Sequence, residues 1–318
     1  MEQLKRIYEQ GKLAPFLGAG VSIPFKNPSW SDLIKNAARS ETDLRLYETE
    51  LDLLLNNKQY FEAIRLVQKN MNVDDPEYSI QKSVCIQLLN NHYDWQRKDF
   101  NCDNNILDLL KLKCNNIFTF NYDKFFEGVF ESKNQYVHTK ILEKESINTQ
   151  KIDDEDRDPI LWHVHGDMLH STSIIFTEDN YERLYSSEQF QKKMEFVINH
   201  FTFLFIGVSF DDPFIKQFFE YNKNFFLDNT HYIMYDKGKS IDKEELKKRY
   251  GLEVITYEKD NDHVLGIREK LNQILSGEKS EVEEEISHSA STVINNSGGF
   301  NPVQLRGKQK NVYIGKPL

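Results

Sequence analysis

Short apolar runs alternate with stretches of helical spacing along most of this 318-residue chain. Leu13–Leu17, Asn116–Phe120, Ile160–Val164, Ser173–Phe176, Phe203–Ile206, His231–Tyr235 and Leu252–Tyr257 are rich in β-branched and aromatic residues and read as strands. Asp212–Phe226 and Lys243–Tyr250 place apolar residues every three or four positions and read as helices. Strands separated by helices imply βα units. The pattern therefore predicts an α/β, Rossmann-like fold with a mostly parallel sheet and helices on both faces.

One stretch breaks the alternation. From Trp30 to about Leu112 every apolar repeat is helical: Leu33/Ile34/Ala37, Leu44/Leu51/Leu54, Phe61/Ile64/Val67, Val84/Leu88/Leu89 and Ile106/Leu109/Leu110. Asp75-Pro76 marks a break within it, and Asp103 reads as a cap. This predicts a helical insertion over residues 30–112, between the first and second strands. Glu143–Asp158 is charged and nearly free of apolar residues, which reads as a solvated loop or a mobile lid and a candidate for control of activity. Residues 1–276 are expected to form the main domain. After them, 277–291 reads as an acidic linker with five glutamates in Glu278–Glu285. The tail 292–318 has four basic and no acidic residues, with short alternating pieces between Asn/Gly turns. It reads either as a β-rich oligomerisation or docking arm or as a disordered end.

Charge narrows the partners. Forty basic and fifty acidic side chains give a net charge of −10, and since the tail carries +4 the remainder carries −14. An acidic body repels phosphate backbones, so nucleic-acid binding is not expected, and a basic arm on it favours docking between subunits. No apolar run has the length of a membrane span, and Glu2, Lys5 and Arg6 follow Met1 where a secretory signal would be apolar, so a cytoplasmic protein is expected. The three cysteines include no C-x-x-C pair, which excludes a disulfide framework and a four-thiolate zinc site within one chain.

Four motifs sit at strand ends, where open α/β sheets hold their ligands. Leu17-Gly18-Ala19-Gly20-Val21-Ser22 follows the first strand: glycines there allow a tight turn and let a pyrophosphate approach the backbone, although a turn without ligand fits the same residues. Asn121 and Asp123 end the second strand, as polar site residues or as caps of the next helix. His163 and His165, in His163-Val164-His165-Gly166-Asp167, are expected to share one face of a strand. Two such histidines could ligate a metal, but no Cys or carboxylate completes a site, so no metal is expected, and His165 beside Gly166 suits proton transfer or a sugar hydroxyl. Gly207-Val208-Ser209, followed by Asp211 and Asp212, allows close approach at Gly207 and a phosphate or ribose contact at Ser209, with Asp212 capping the helix opened by Pro213.

In this order the four motifs resemble the sirtuin-like superfamily, which has G-A-G-x-S, Asn-Tyr-Asp, His-Gly and G-x-S at corresponding strand ends. The resemblance spans approximately Leu13 to Leu275. It implies a Rossmann-type sheet that binds NAD and cleaves its nicotinamide–ribose bond. Carried over residue by residue, Gly18, Ala19, Gly20 and Ser22 line the pyrophosphate. Asn121 orients the ribose or the attacking water, with Asp123 supporting it. His165 contacts the ribose and acts as general base, and Gly207 and Ser209 hold the adenosine side. The chain departs from the protein-deacylating branch: Cys85, Cys102 and Cys114 are scattered, and Ile23–Trp30 lacks that branch's arginine. With the helical insertion, these departures resemble the sirtuin-like NAD hydrolases of bacterial antiphage defence, which implies an NAD-depleting effector activated by assembly or a partner protein. A deacylase or ADP-ribosyltransferase, and an NAD-sensing module without chemistry, are the alternatives.

Overall fold

The computed structural model describes residues 1–149, 151–154, 158–259 and 262–276. The expected linker and tail, 277–318, lie outside the described residues, as do Glu155–Arg157 of the charged segment. In chain order the elements are α1 (Glu2–Glu9), β1 (Leu13–Leu17), α2 (Trp30–Glu41), α3 (Glu48–Asn56), α4 (Tyr60–Asn70), α5 (Pro76–Gln96), α6 (Ile106–Leu112) and β2 (Asn116–Thr119). Then come α7 (Phe125–Ser132), β3 (His138–Ile141), β4 (Ile160–His163), α8 (Glu178–Ser186), α9 (Glu188–His200) and β5 (Thr202–Ile206). They are followed by α10 (Pro213–Leu227), β6 (His231–Asp236), α11 (Lys243–Tyr250), β7 (Leu252–Tyr257) and α12 (His263–Leu275).

All strand pairs are parallel, in the order β3-β4-β2-β1-β5-β6-β7. A parallel sheet buried on both faces needs apolar residues at nearly every position of its inner strands, and β1, β2, β4, β5 and β6 are buried at nearly every position. Phe16, Phe118, Trp162, Phe203 and Phe205 pack on one face with the insertion helices α2–α5 and with α8–α11. Leu17, Ile117, Leu161, Leu204 and Ile206 pack on the other with α1, α6, α7 and α12. Only helices and 3-10 turns separate β1 from β2. Asp75 caps α5 through Tyr78 N–H at 2.9 Å, with Pro76 at the first position, where its missing N–H costs nothing. Asp103 is not a cap. Asn104 Oδ1 takes the Leu107 N–H instead, and Asp103 pairs with Arg268, which also grips Asp108 at 3.0 Å and so ties α12 to α6.

Two strand assignments need correction. Ser173–Phe176 is not a strand: Ile174 and Phe176 are fully buried, but side chains occupy the backbone. Gln81 donates to Ile174 O at 2.6 Å, Tyr122 O–H to Ile175 O at 2.6 Å, and Phe176 N–H donates to Asn180 Oδ1 at 3.2 Å. A short buried apolar run has the same composition whichever way its backbone is satisfied. Conversely, β3 went unread because it is a sheet-edge strand of sequence His-Thr-Lys-Ile whose first two residues are exposed. The charged segment that links β3 to β4 is also no lid where it is described. Ile152 is buried, and its carbonyl accepts from Asn116 Nδ2 at 2.9 Å. Asp154 O accepts from Asn115 at 3.1 Å, and Asp153 pairs with Lys12 and His200. These partners stand at the N-terminal ends of β1, β2 and β5, the end of the sheet opposite the motifs.

Candidate active site

β1 is the strand from which the chain adds β2 and β4 to one side and β5 to the other, and that is where an open sheet has its crevice. The segments leaving β1 and β5 go to opposite faces: Val21 and Phe25 join one core, Phe214 and Phe218 the other. Between them opens a cavity of about 410 Å³, and its lining draws on all four motifs: Gly18–Gly20, Asn121–Asp123, His165 and Gly207–Ser209.

The glycines meet each other. A Cβ on Gly18 would lie 2.5 Å from Gly207 O, and one on Gly20 would lie 2.6 Å from Gly207 Cα. Gly207 itself has φ +68°, a region open to glycine. Gly18 N–H donates to Ile206 O at 2.9 Å and Gly20 N–H to Gly207 O at 2.8 Å, so the two loops are zipped together at the cavity floor. Ser22, expected on the pyrophosphate, is not part of the lining. It is buried behind the loop, where its hydroxyl donates to Asp123 Oδ2 at 2.9 Å and accepts from Asn121 Nδ2 at 3.0 Å.

Asn121 is held at almost every polar atom. Its N–H donates to Thr119 Oγ1 at 3.0 Å, and its Nδ2 donates to Gly18 O at 3.1 Å as well as to Ser22. Because Gly18 O can only accept, the carboxamide nitrogen faces the loop and Oδ1 is left for the cavity. Asp123 accepts from Ser22, from Asn27 Nδ2 at 3.0 Å and from Phe125 N–H at 3.3 Å, the last being the helix-cap contact its position allowed. Burial pushes its carboxyl up to about 6, its three donors offsetting only part of the lost hydration.

His163 and His165 do not share a face. β4 ends at His163, so the alternation stops there, and Gly166 at φ +85° turns the chain. His163 is buried against α7, whereas His165 lies among Phe120, Tyr181 and Tyr185 on the other side. His165 Nε2 is 2.5 Å from Tyr185 O–H, and Nδ1 is 3.4 Å from Tyr181 O–H. Burial pushes its imidazole down to about 3, so it is neutral in the physiological range, a weaker base than a general-base reading assumes. Among the described residues no group of three His, Cys, Asp or Glu side chains gathers as a metal site.

Ser209 lines the cavity, its Oγ accepting from Asp211 N–H at 3.3 Å. Asp212 caps α10 through Phe214 N–H at 2.9 Å and accepts from Trp30 Nε1 at 3.1 Å; burial raises its carboxyl too. Asn27 and Trp30 were not singled out in the sequence, yet they bridge the loop after β1 to those after β2 and β5. Their signal was the Pro-rich run between glycine loop and helix, where Ser29 and Asp32 form a capping box that fixes Trp30 at the helix start. Tyr181 and Tyr185 reach His165 from α8, and no local spacing announces that contact. Among the described residues, Lys239 is the one lysine or arginine of the lining.

Comparison with known proteins agrees with this geometry. Residues 115–255 match the SIR2-like domain. The NAD(+) hydrolase ThsA of Bacillus cereus (strain MSX-D12) is 26% identical over 211 residues, 66% of this chain and 39% of that protein. NAD(+) hydrolase ThsA of Cytobacillus dafuensis is 28% identical over 213 residues (67% and 38%), and that of Enterococcus faecium 25% over 222 residues (68% and 41%). The chain thus spans about two fifths of the length of these relatives. No helix among the described residues is long and apolar enough to cross a membrane.

Proposed function

We propose that the protein, whose residues 115–255 match the SIR2-like domain, is an NAD hydrolase, which splits the nicotinamide–ribose bond to give nicotinamide and ADP-ribose. The observation that carries this reading is the convergence of Asn121, Asp123 and His165 on one cavity whose floor is the Gly18/Gly20/Gly207 zip. In it, the dinucleotide lies across the loops after β1 and β5, with Gly18, Ala19 and Gly20 beside the pyrophosphate, and Gly207 and Ser209 toward the adenosine. Ser22 acts from behind, by holding Asn121 and Asp123.

The chemistry follows from the residue types. As the C–N bond breaks, its electron pair goes to the pyridinium nitrogen, so nicotinamide leaves neutral and the ribose becomes oxocarbenium-like. Asn121 Oδ1 accepts from the attacking water and fixes its line of approach; positioning of this kind can be worth up to about 7 kcal/mol of barrier. The water oxygen then bonds to the ribose carbon. The resulting oxonium is a far stronger acid than imidazolium, so even a weakly basic His165 suffices to take its proton and pass it to solvent. Asp123, when ionised, favours the positive charge that develops on the sugar. No acyl peptide enters this scheme. On the resemblance to the defence hydrolases, the enzyme is an effector in antiphage defence whose activity depends on assembly or a partner protein.

The test is release of nicotinamide and ADP-ribose from NAD by the purified protein over a series of protein concentrations. Asn121→Ala and His165→Ala are each expected to lower turnover by a hundredfold or more, on the order of the ten-squared to ten-fourth range of a lost acid–base or positioning group. Wild-type turnover in the double variant would overturn the assignment, and an absolute need for an acylated peptide would move the protein to the deacylase class.

A further inference from the structure

We propose that His163 is the positioning residue for Asn121, fixing the peptide carbonyl behind it from the side of the sheet away from the cavity. This rests on the hydrolase reading. Sequence spacing suggested a partner for His165; the geometry gives His163 a different task.

His163 has no exposed surface, and its Nδ1 lies 2.8 Å from the backbone oxygen of Asn121. A peptide oxygen only accepts, so Nδ1 carries the proton, and the tautomer is set by that contact. Nε2 faces Glu127 Oε1 at 3.2 Å and Lys124 Nζ at 3.5 Å. Glu127 is itself anchored by Lys124 at 2.8 Å and by the Thr139 hydroxyl at 3.0 Å, and Lys124 reaches Asp167 Oδ2 at 3.2 Å. Asp167 lies two residues beyond His165 in the turn after β4. An unbroken chain of contacts therefore runs from the carbonyl of Asn121 through His163, Glu127, Lys124 and Asp167 to the turn that carries His165.

Front and back constraints are complementary. Gly18 O and Ser22 hold the Asn121 side chain, while His163 holds its peptide, so both ends of the residue are fixed and Oδ1 is aimed by what surrounds it. Without the imidazole donor the carbonyl is buried without that partner, and the peptide is free to rotate. A misplacement of about an ångström at a water-positioning group costs on the order of a hundredfold in rate.

Two substitutions separate this role from general support of the fold. In His163→Asn the Nδ2 amide takes the place of Nδ1 and can still donate to Asn121 O. In His163→Gln the amide falls instead near Nε2, toward Glu127. Both remove the ring and shorten the packing comparably. Expected are near wild-type kcat for His163→Asn and a loss on the order of a hundredfold in kcat for His163→Gln, with KM for NAD little changed. Thermal midpoints are expected to be similar for the two. Equal activity of the two variants, high or low, would overturn the proposal. Should either fail to fold, ¹⁵N spectra of histidine-labelled wild-type protein decide the matter. A proton on Nδ1 of His163 is expected, and the neutral tautomer with its proton on Nε2 alone would overturn it. Asn121→Ala is measured alongside. If it retains full turnover, the hydrolase reading fails; if it is inactive while His163→Asn and His163→Gln are alike, only the positioning role fails.

Discussion

Replacing Asp123 by asparagine should make the protein more stable at neutral pH and less stable in mild acid. The carboxyl is 5% exposed and makes no ion pair among the described residues; three donors, Ser22, Asn27 and Phe125 N–H, face it. Its ionisation moves from the ordinary 3.8 to about 6 through burial. At about 1.4 kcal/mol per tenfold, the folded state disfavours the ionised form by about 3 kcal/mol. Between these two values the native protein keeps a proton that the unfolded chain has released. This group's contribution to stability therefore falls as pH rises through the window and is level above it. Asparagine does not ionise, but it offers one acceptor oxygen instead of two, which leaves Phe125 N–H unpaired at a cost of about 1 kcal/mol. The variant should be about 0.5 kcal/mol less stable than wild type near pH 4 and about 2 kcal/mol more stable near pH 8. Urea unfolding followed by tryptophan fluorescence at the two pH values reads this directly. Glu127, whose burial is outweighed by hydrogen bonding and charge from His163 and Lys124 so that it is held down to about 2, is already ionised at both pH values. A stability difference that does not change with pH would refute the reasoning. Loss of NAD turnover in the stabilised variant is expected as well, since the buried charge belongs to the site.

Two further expectations are independent of the catalytic assignments. Gly207→Ala would place a Cβ 2.7 Å from Val21 N at a backbone φ of +68°, and should lower stability by about 3 kcal/mol or more, seen as a lowered thermal midpoint. Gly238→Ala is the control, because its nearest neighbour, Asp236 Oδ1, would be 3.4 Å away; it should shift stability by no more than about 0.5 kcal/mol. Cys85 and Cys114 are buried and their thiols are pushed up to about 12, so Ellman's reagent should find at most Cys102 promptly in the native protein and all three cysteines after denaturation.

The parallel sheet was legible because its inner strands, buried on both faces, are apolar at nearly every position, and the edge strand β7 still has Leu252, Val254, Ile255 and Tyr257. β3 lacked the signal because His138 and Thr139 are exposed at the edge of the sheet and need no apolar side chain. Ser173–Phe176 carried the signal without the structure, because Gln81 and Tyr122 reach its backbone from far away in sequence. The site divides in the same way. Asn121, His165 and the glycines stand at strand ends, where position alone raises suspicion. Tyr185, Asn27 and the Lys124–Glu127–Asp167 network depend on which helix lands beside which turn, and the chain's local pattern does not encode that. The shared face of His163 and His165 failed because it assumed a strand two residues longer than β4.

The glycine loop was expected to let a pyrophosphate approach its backbone; what approaches it in the structure is Gly207, and that partner changes how the site has to bind a dinucleotide. A phosphate-cradling loop needs N–H groups without partners, whereas those of Gly18 and Gly20 already donate to Ile206 O and Gly207 O. In the loop itself, the N–H of Ala19, first in the 3-10 turn Ala19–Phe25, has no acceptor among the described residues. Beyond it, Lys239 is the one lysine or arginine of the lining among the described residues, and Ser209 adds a hydroxyl from the same β5–β7 half of the sheet. The glycines therefore serve the site chiefly as a joint. By admitting no Cβ between the two loops they bring the β2 and β4 turns, which hold Asn121 and His165, within one cavity of the half that offers the cation. A substitution at Gly20 should accordingly impair binding and chemistry together, whereas one at Lys239 should weaken binding and leave the turnover of bound substrate intact.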